Sequence, residues 1–332
     1  MIKAGVIGLG VGEKHAEVYN KHLECELVAL CDVSGEKLAS VGGKFPGKKT
    51  TGNADEILED PEINIVSIAS YDECHYKQIV KAIQNDKHLF VEKPLCLYDK
   101  EARHIRSLLR EKPQLKISSN LILRKSPRFI QLRELIKKGE FGDLFCIEGD
   151  YNYGRLHKIT EGWRGKQDFY SVIYGGGIHL VDLILWLTDQ DIEEVASFGN
   201  AISSQGSGFP YNDVAVSIIK FKNGMVGKIS ANFGCVMPHF HGLTVYGTKA
   251  TFVNGMEYGM FFNSRNPDHG FKKITTPYPG VHKGDFISGF IESITRKANE
   301  EITQDEIFNT MSVCFAMEKA LNQSCSEKVS YI

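Results

Sequence analysis

The sequence predicts an α/β doubly wound parallel sheet, followed by an α+β domain with a large, mostly antiparallel open sheet. Three observations predict it. The first third of the chain alternates short apolar runs with amphipathic stretches, the rhythm of βαβ units. A glycine-rich turn follows the first apolar run directly. After residue 120 the rhythm changes to strand-like runs that succeed one another, two of them joined by the hairpin signal Asn223-Gly224. A length of 332 residues suits about two domains, and the change of rhythm puts the boundary near Leu121, giving domains 1–121 and 122–332.

In the first domain strands are expected over residues 4–7, 27–31, 65–69, 88–91 and 116–119. Between them, apolar positions three or four apart predict helices over 13–21, 36–41, 54–58, 73–85 and 99–110. A helix over 127–138 should stop at Gly139, after the cationic pair Lys137 and Lys138. The strands of the second domain are expected over 144–153, 193–203, 213–221, 225–233, 243–246 and 250–254, with flanking helices over 177–187, 286–298 and 304–322.

Composition excludes several classes. Lysine and arginine total 39 against 41 acidic residues, a net charge of −2, so no global field favours nucleic acid or an anionic membrane. No apolar run approaches the roughly 18 residues of a membrane span. The eight cysteines are scattered singly, without metal-ligand spacing, so free thiols in a reducing cytoplasm are expected.

The first strand runs into Gly8-Leu9-Gly10-Val11-Gly12-Glu13 and then a helix. Two glycines spaced by one residue allow a tight turn and close approach of backbone to a pyrophosphate, which rests on the unpaired N–H groups of the helix start. The third glycine of the usual dinucleotide pattern is Glu13 here, with Gly12 one place early. Asp32, twenty residues past Gly12 at the end of the second strand, suits a ribose 2′-OH and would repel a 2′-phosphate, so NAD is favoured over NADP. Its simpler reading is a loop carboxylate before the next helix, a capping task open also to Ser34.

Lys93 follows the fourth expected strand, at the carboxyl end of the sheet where such folds bind ligands. Beside a nicotinamide it can donate to a substrate oxygen; otherwise it is a solvated loop lysine. Gly175-Gly176-Gly177 opens an apolar helix on which His179 and Asp182 share a face. A histidine there can exchange a proton near neutral pH, or simply pack. His239 and His241 flank Phe240 without a carboxylate or cysteine to complete a ligand set, so no metal is expected.

Taken together, Gly8-x-Gly10 with Asp32, Glu92-Lys93-Pro94, the segment Gly175 to Asp182 with Trp186-Leu187, and Val245-Tyr246-Gly247-Thr248 resemble the Gfo/Idh/MocA oxidoreductase family, in order and along nearly the whole chain. The resemblance implies a Rossmann domain and NAD(P)-dependent redox chemistry on a sugar-like secondary alcohol or carbonyl. It implies that Lys93 is catalytic, with His179 as its proton-exchanging partner, and that the Lys93-Pro94 bond is cis. By position it adds Ala69, Ser70, His75, Glu92 and Asn120 to the cofactor contacts Gly8, Gly10, Val11, Gly12 and Asp32. It borders the substrate with the stretch holding Tyr153, Arg155, Trp163 and Arg164, where aromatic faces suit sugar rings and an arginine fork suits an anion.

One position departs from the family's pattern. Its members commonly carry an aspartate four residues before the histidine, and here that residue is Gly175. Tyr170 and Tyr174, just upstream, could supply a hydroxyl to the same space. The expected function is oxidation or reduction of a sugar, polyol or nucleotide-linked sugar, by a homodimer or homotetramer joined through the open sheet. Similar proteins also include NAD(P)-sensing regulators and enzymes that cleave glycosides through transient NAD oxidation. Measuring net NADH production separates these classes.

Overall fold

The computed structural model describes residues 1–295 and 298–332. It comprises two compact units. The first is Met1–Ile122 with His282–Asn309 and Ile332; the second is Leu123–Val281 with Thr310–Tyr331.

The sheet of the first unit holds β1 (Ile2–Ile7), β2 (Cys25–Cys31), β3 (Lys49–Thr51), β4 (Ile65–Ile68), β5 (His88–Val91) and β6 (Ile117–Ser119). All its strand pairs are parallel, in the order β3-β2-β1-β4-β5-β6. The crossovers carry α1 (Gly12–Lys21), α2 (Gly35–Gly42), α3 (Asp55–Leu58), α4 (Asp72–Gln84) and α5 (Asp99–Glu111). The five expected strands are present. The sixth, β3, is a three-residue edge strand with two exposed positions, too short to show a period.

Register aligns the carboxyl ends of these strands. Cys31, Ile7, Ile68, Val91 and Ser119 pair in sequence across the sheet. The residues that follow continue the row, since the amides of Gly8, Ala69, Glu92 and Asn120 donate to the carbonyls of Cys31, Ile7, Ile68 and Val91. The strand order reverses at β1 and β4, the switch point where doubly wound sheets open a crevice.

Residues 282–309, assigned from sequence to the second domain, belong to the first unit. The reason is apolar: the helix Ile287–Thr295 buries Ile287, Phe290 and Ile291, and the Phe290 ring lies 5.8 Å from that of Phe90 on β5. Residues 296 and 297 of the expected helix 286–298 lie outside the described residues.

The second unit starts with α6 (Pro127–Lys137), stopped as expected at Gly139, whose φ is +74°. Its sheet holds β7 (Leu144–Asn152), β8 (Ile192–Asn200), β9 (Val214–Phe221), β10 (Val226–Asn232), β11 (Phe240–Gly247), β12 (Thr251–Asn254), β13 (Gly259–Phe262), β14 (Lys272–Ile274) and β15 (Glu327–Lys328). Their order is β14-β13-β12-β11-β7-β10-β9-β8-β15, and every pair but β7 with β10 is antiparallel. The Asn223-Gly224 hairpin forms between β9 and β10, with Gly224 at φ +90°. Three short strands, β13 to β15, went unseen in the sequence, and β11 takes in Phe240 as well as the expected 243–246.

Two further helices, α7 (His157–Thr160) and α8 (Ile178–Thr188), complete this part of the chain. The apolar α8 packs on β7, where Gly149 lets Leu180 and Ile184 lie against the strand. The opposite face of the sheet leaves Phe198, Val216, Ile218 and Val226 exposed.

Candidate active site

The row at the carboxyl ends of the parallel strands gathers the candidate residues of the first unit. Gly8 has φ +85°, and a Cβ on it would lie 2.3 Å from the Ala69 carbonyl oxygen, so only glycine lets the turn after β1 pass the end of β4. Gly12 does the packing of a third motif glycine one place early: a Cβ there would stand 2.8 Å from Cγ1 of Val6. Above Gly10 there is open space, with the Lys37 amine 3.9 Å from where a Cβ would be. Val11 precedes α1 as its N-terminal flanking residue and supplies no side-chain cap.

Asp32 is buried and accepts from the amide of Leu9 at 2.7 Å and from that of Ser34 at 2.8 Å. It therefore braces the glycine turn directly. Capping of α2 falls to Ser34, whose hydroxyl accepts from the Lys37 amide. Ser70 donates to Gln78, while the His75 ring nitrogens sit 2.8 Å from the Pro94 carbonyl and 3.2 Å from that of Ser70. His75 is fully buried and ties the loop after β4 to the loop after β5.

Next along the row, Glu92 and Asn120 form a buried polar network. Asn120 donates to Glu92 at 2.6 Å and to the Lys283 carbonyl at 2.9 Å. Nε2 of His15 lies 3.3 Å from the same Glu92 oxygen, and its Nδ1 lies 3.0 Å from the Ser67 hydroxyl. Burial works against the charge of Glu92, yet His15, the Lys283 charge and Asn120 together hold its carboxyl down to about 2. Lys93, half-buried, follows at once, and the Lys93-Pro94 peptide is cis. The Asn120 side-chain oxygen is buried and has no hydrogen-bond partner among the described residues. A buried acceptor at one end of the row whose other end holds a glycine turn and a ribose-type carboxylate is a set that fits an extended nicotinamide dinucleotide.

The second unit carries His179. Residues Ile173–Gly177 form a π-helical turn leading into α8, a form that recurs at functional sites. The glycines make its position possible. A Cβ on Gly176 would stand 2.3 Å from the ring of Tyr151, and one on Gly175 would stand 2.1 Å from the hydroxyl of Tyr170. The turn thus lies flat against two tyrosines. Ser171 anchors its start, donating to Glu318 at 2.5 Å and accepting from the amides of Ile173 and Tyr174; burial pushes the Glu318 carboxyl up. The buried His179 ring is stacked on Tyr151, centroids 6.2 Å apart. Asp182, one turn on, is fully buried and held by Arg124.

Around Tyr151 stand His239 and His241, with ring centroids 5.1 and 5.2 Å away, and Tyr153, stacked at 5.7 Å. Burial raises the Tyr151 hydroxyl, opposed by the charges of Arg164 and Arg155, which puts both guanidiniums within electrostatic reach. Arg155 lies over the Tyr153 ring and Arg164 over that of Trp163, at 5.2 and 4.6 Å. Tyr174, expected at the substrate, is buried, its ring against those of Phe169 and of Phe315 on the helix Gln304–Gln323.

Sequence reasoning passed over His15 and Lys283, while Tyr151 opens the stretch expected to border the substrate. A signal existed for the first: His15, Ala16 and Tyr19 are the buried stripe of α1, so a histidine sits on its core face. Lys283 gave none, being far along the chain from Glu92.

Residues 2–119 match the oxidoreductase family with an NAD-binding Rossmann fold, and residues 129–253 match the GFO/IDH/MocA C-terminal domain. The chain is 24% identical over 311 residues to myo-inositol 2-dehydrogenase of Thermotoga maritima, covering 86% of this chain and 89% of that one. Among solved structures, scyllo-inositol dehydrogenase of Lactobacillus casei with bound NAD(H) and scyllo-inositol superposes with a TM-score of 0.81 at 18% identity, covering 99% of each chain. Levoglucosan dehydrogenase in complex with NADH and L-sorbose gives 0.87 at 18% identity, over 100% of this chain and 99% of that one. With both halves matched in order, and with the glycine turn, the Glu92-Lys93-Pro94 segment and the His179 helix in place, this chain belongs to the Gfo/Idh/MocA family of oxidoreductases.

Proposed function

We propose that this protein is an NAD-dependent dehydrogenase that interconverts a secondary alcohol and a ketone on a polyol or sugar ring. The observation that carries the reading is the row Gly8, Asp32, Glu92-Lys93 and Asn120 at the ends of the parallel strands, which sets a lysine beside a dinucleotide cradle. Lys93 donates to the substrate oxygen and stabilises the negative charge that develops there. His179 takes the hydroxyl proton, which its neutral imidazole can do near pH 7. When bound, NAD supplies the hydride acceptor. Asp32 favours a free ribose hydroxyl over a 2′-phosphate, so NAD is the preferred form.

Tyr153 and Trp163 supply aromatic faces for a ring, and Arg155 and Arg164 supply charge for an anionic substituent, as on a sugar acid or a nucleotide-linked sugar. The exposed apolar residues Phe198, Val216, Ile218 and Val226 make the open sheet the proposed interface of a homodimer or homotetramer. Eight free thiols suit a reducing cytoplasm.

The test is nicotinamide absorbance across inositols, neutral sugars, sugar acids and nucleotide sugars, each with NAD and with NADP. Substrate-dependent NADH formation supports the reading. Turnover without net NADH would replace it with redox-neutral glycoside cleavage, and binding of NAD without turnover on any of these substrates would replace it with a sensor. If Arg164 holds an anionic substituent, Arg164→Glu raises KM for that substrate and leaves NAD affinity alone.

A further inference from the structure

Three of the five residues in the π-helical turn Ile173–Gly177 are glycines. Glycine loses more backbone freedom on ordering than any other residue, and a π-helical turn is itself a rare form, so this one needs a hold from outside. Ser171 supplies it. Its carbonyl accepts from the Gly175 amide at 2.8 Å, and its hydroxyl accepts from the amides of Ile173 at 3.1 Å and Tyr174 at 3.4 Å, two N–H groups that a helix start leaves without an intrahelical partner. A hydroxyl has two lone pairs and one proton. With both lone pairs given to the turn, the Ser171 proton goes the remaining way, to Oε2 of Glu318 at 2.5 Å and 147 residues along the chain. Glu318 is half-buried on the helix Gln304–Gln323, and its other oxygen accepts from the Asn322 amide at 3.3 Å. Among the described residues no cation pairs with it, and a position that served packing alone would not carry such a group. The hold reaches the histidine through the backbone, since the Ile173 carbonyl accepts from the amide of Ile178, the residue before His179. All these residues belong to the second unit.

We propose that Glu318 is a positioning residue for His179, its carboxylate fixing the Ser171 hydroxyl so that both lone pairs of that oxygen hold the start of the π-helical turn that delivers the histidine. The inference rests on the reading of His179 as the residue that takes the substrate proton. Without the acceptor, the Ser171 hydroxyl turns its proton to another oxygen and its lone pairs leave the two amides. The glycine turn then takes up several conformations, and the imidazole no longer stands in one place. A reacting group misplaced by about 1 Å loses on the order of a hundredfold in rate. Glutamine at 318 keeps an acceptor for Ser171, and the exposed Asn322 can turn its own amide to suit.

The test uses the full-length protein saturated with NAD and carrying carbon-13 histidine, the His179 resonance being assigned by its loss in His179→Asn. Glu318→Ala removes the acceptor, Ser171→Ala removes the hydroxyl, and Glu318→Gln keeps an acceptor in place. The resonance is expected to stay where it is in Glu318→Gln and to shift or split in both alanine variants, with solvent exchange of the Ile173 and Tyr174 amides faster by about tenfold or more. The double alanine variant should match Ser171→Ala, because both changes cut one path. An unmoved resonance in either folded alanine variant overturns the proposal. So does a Glu318→Gln variant that behaves like Ser171→Ala, a comparison that holds even where Glu318→Ala does not fold. With an inositol or sugar that supports NADH formation, kcat should fall about ten- to a hundredfold in Ser171→Ala, with KM and NAD affinity within about twofold. The resonance needs no substrate, so a shifted His179 with unchanged kcat would fault the reading of His179 as proton acceptor, whereas an unmoved one faults the hold from Glu318.

Discussion

Asp182 and Arg124 form a closed pair inside the second unit, with Asp182 Oδ1 2.6 Å from Arg124 Nη2 and Oδ2 3.0 Å from Nε. Thr310 adds a longer contact of 3.4 Å to the same carboxylate. The aspartate one turn beyond His179 is thereby neutralised by a cation on the chain before α6. Removing one partner of such a buried pair leaves an uncompensated charge, so Arg124→Leu should cost about 3–5 kcal/mol of stability. The double variant with Asp182→Leu should cost distinctly less. Denaturant melts of both give the answer, and equal losses would mean that the pair is not coupled.

Asp32 both braces the glycine turn and guards the ribose site. Asp32→Ala should therefore weaken NAD binding about tenfold through the loss of its bond to the Leu9 amide. Adding Val33→Arg, at an exposed position, should move preference toward NADP. Titration of both cofactors decides it, and unchanged selectivity would remove Asp32 from the ribose.

Lys93→Ala should lower kcat by about two to four orders of magnitude and leave the Kd for NAD nearly intact, because its donor acts on charge that develops in the transition state. Turnover close to that of the unaltered enzyme would end the catalytic assignment.

The Glu92 network predicts a particular acid sensitivity. Its carboxyl is depressed from 4.5 to about 2 in the folded chain, so the stabilisation is complete above pH 4.5 and lost as pH falls from there toward 2. A depression of that size corresponds to stabilisation on the order of 3 kcal/mol. Glu92→Gln should flatten the pH dependence of stability in that window, measured by urea melts at closely spaced pH values. His15→Ala should move the acid loss to higher pH. A Glu92→Gln profile parallel to that of the unaltered protein would show that the carboxyl is not held down.

Local pattern carried much of this protein. The β-α alternation, the glycine turn, the twenty-residue step to Asp32 and the Asn223-Gly224 hairpin were legible because each depends on residues close in the chain. So was the row at the sheet edge, since parallel strands of known polarity put whatever follows them on one side. What only the tertiary structure decided are the relations between distant segments. The edge strand β3 and the short strands β13 to β15 exist through pairing with neighbours, not through any period of their own. Residues 282–309 join the first unit because Phe290 meets Phe90 and Asn120 meets the Lys283 carbonyl, contacts about 160 to 200 residues apart in sequence. Sequence could show that Gly175 lacks a carboxylate. That the Tyr170 hydroxyl lies against this glycine, and that Asp182 belongs to Arg124, follows from side-chain packing in a buried region, where space and charge must be satisfied by whichever residues the fold brings there.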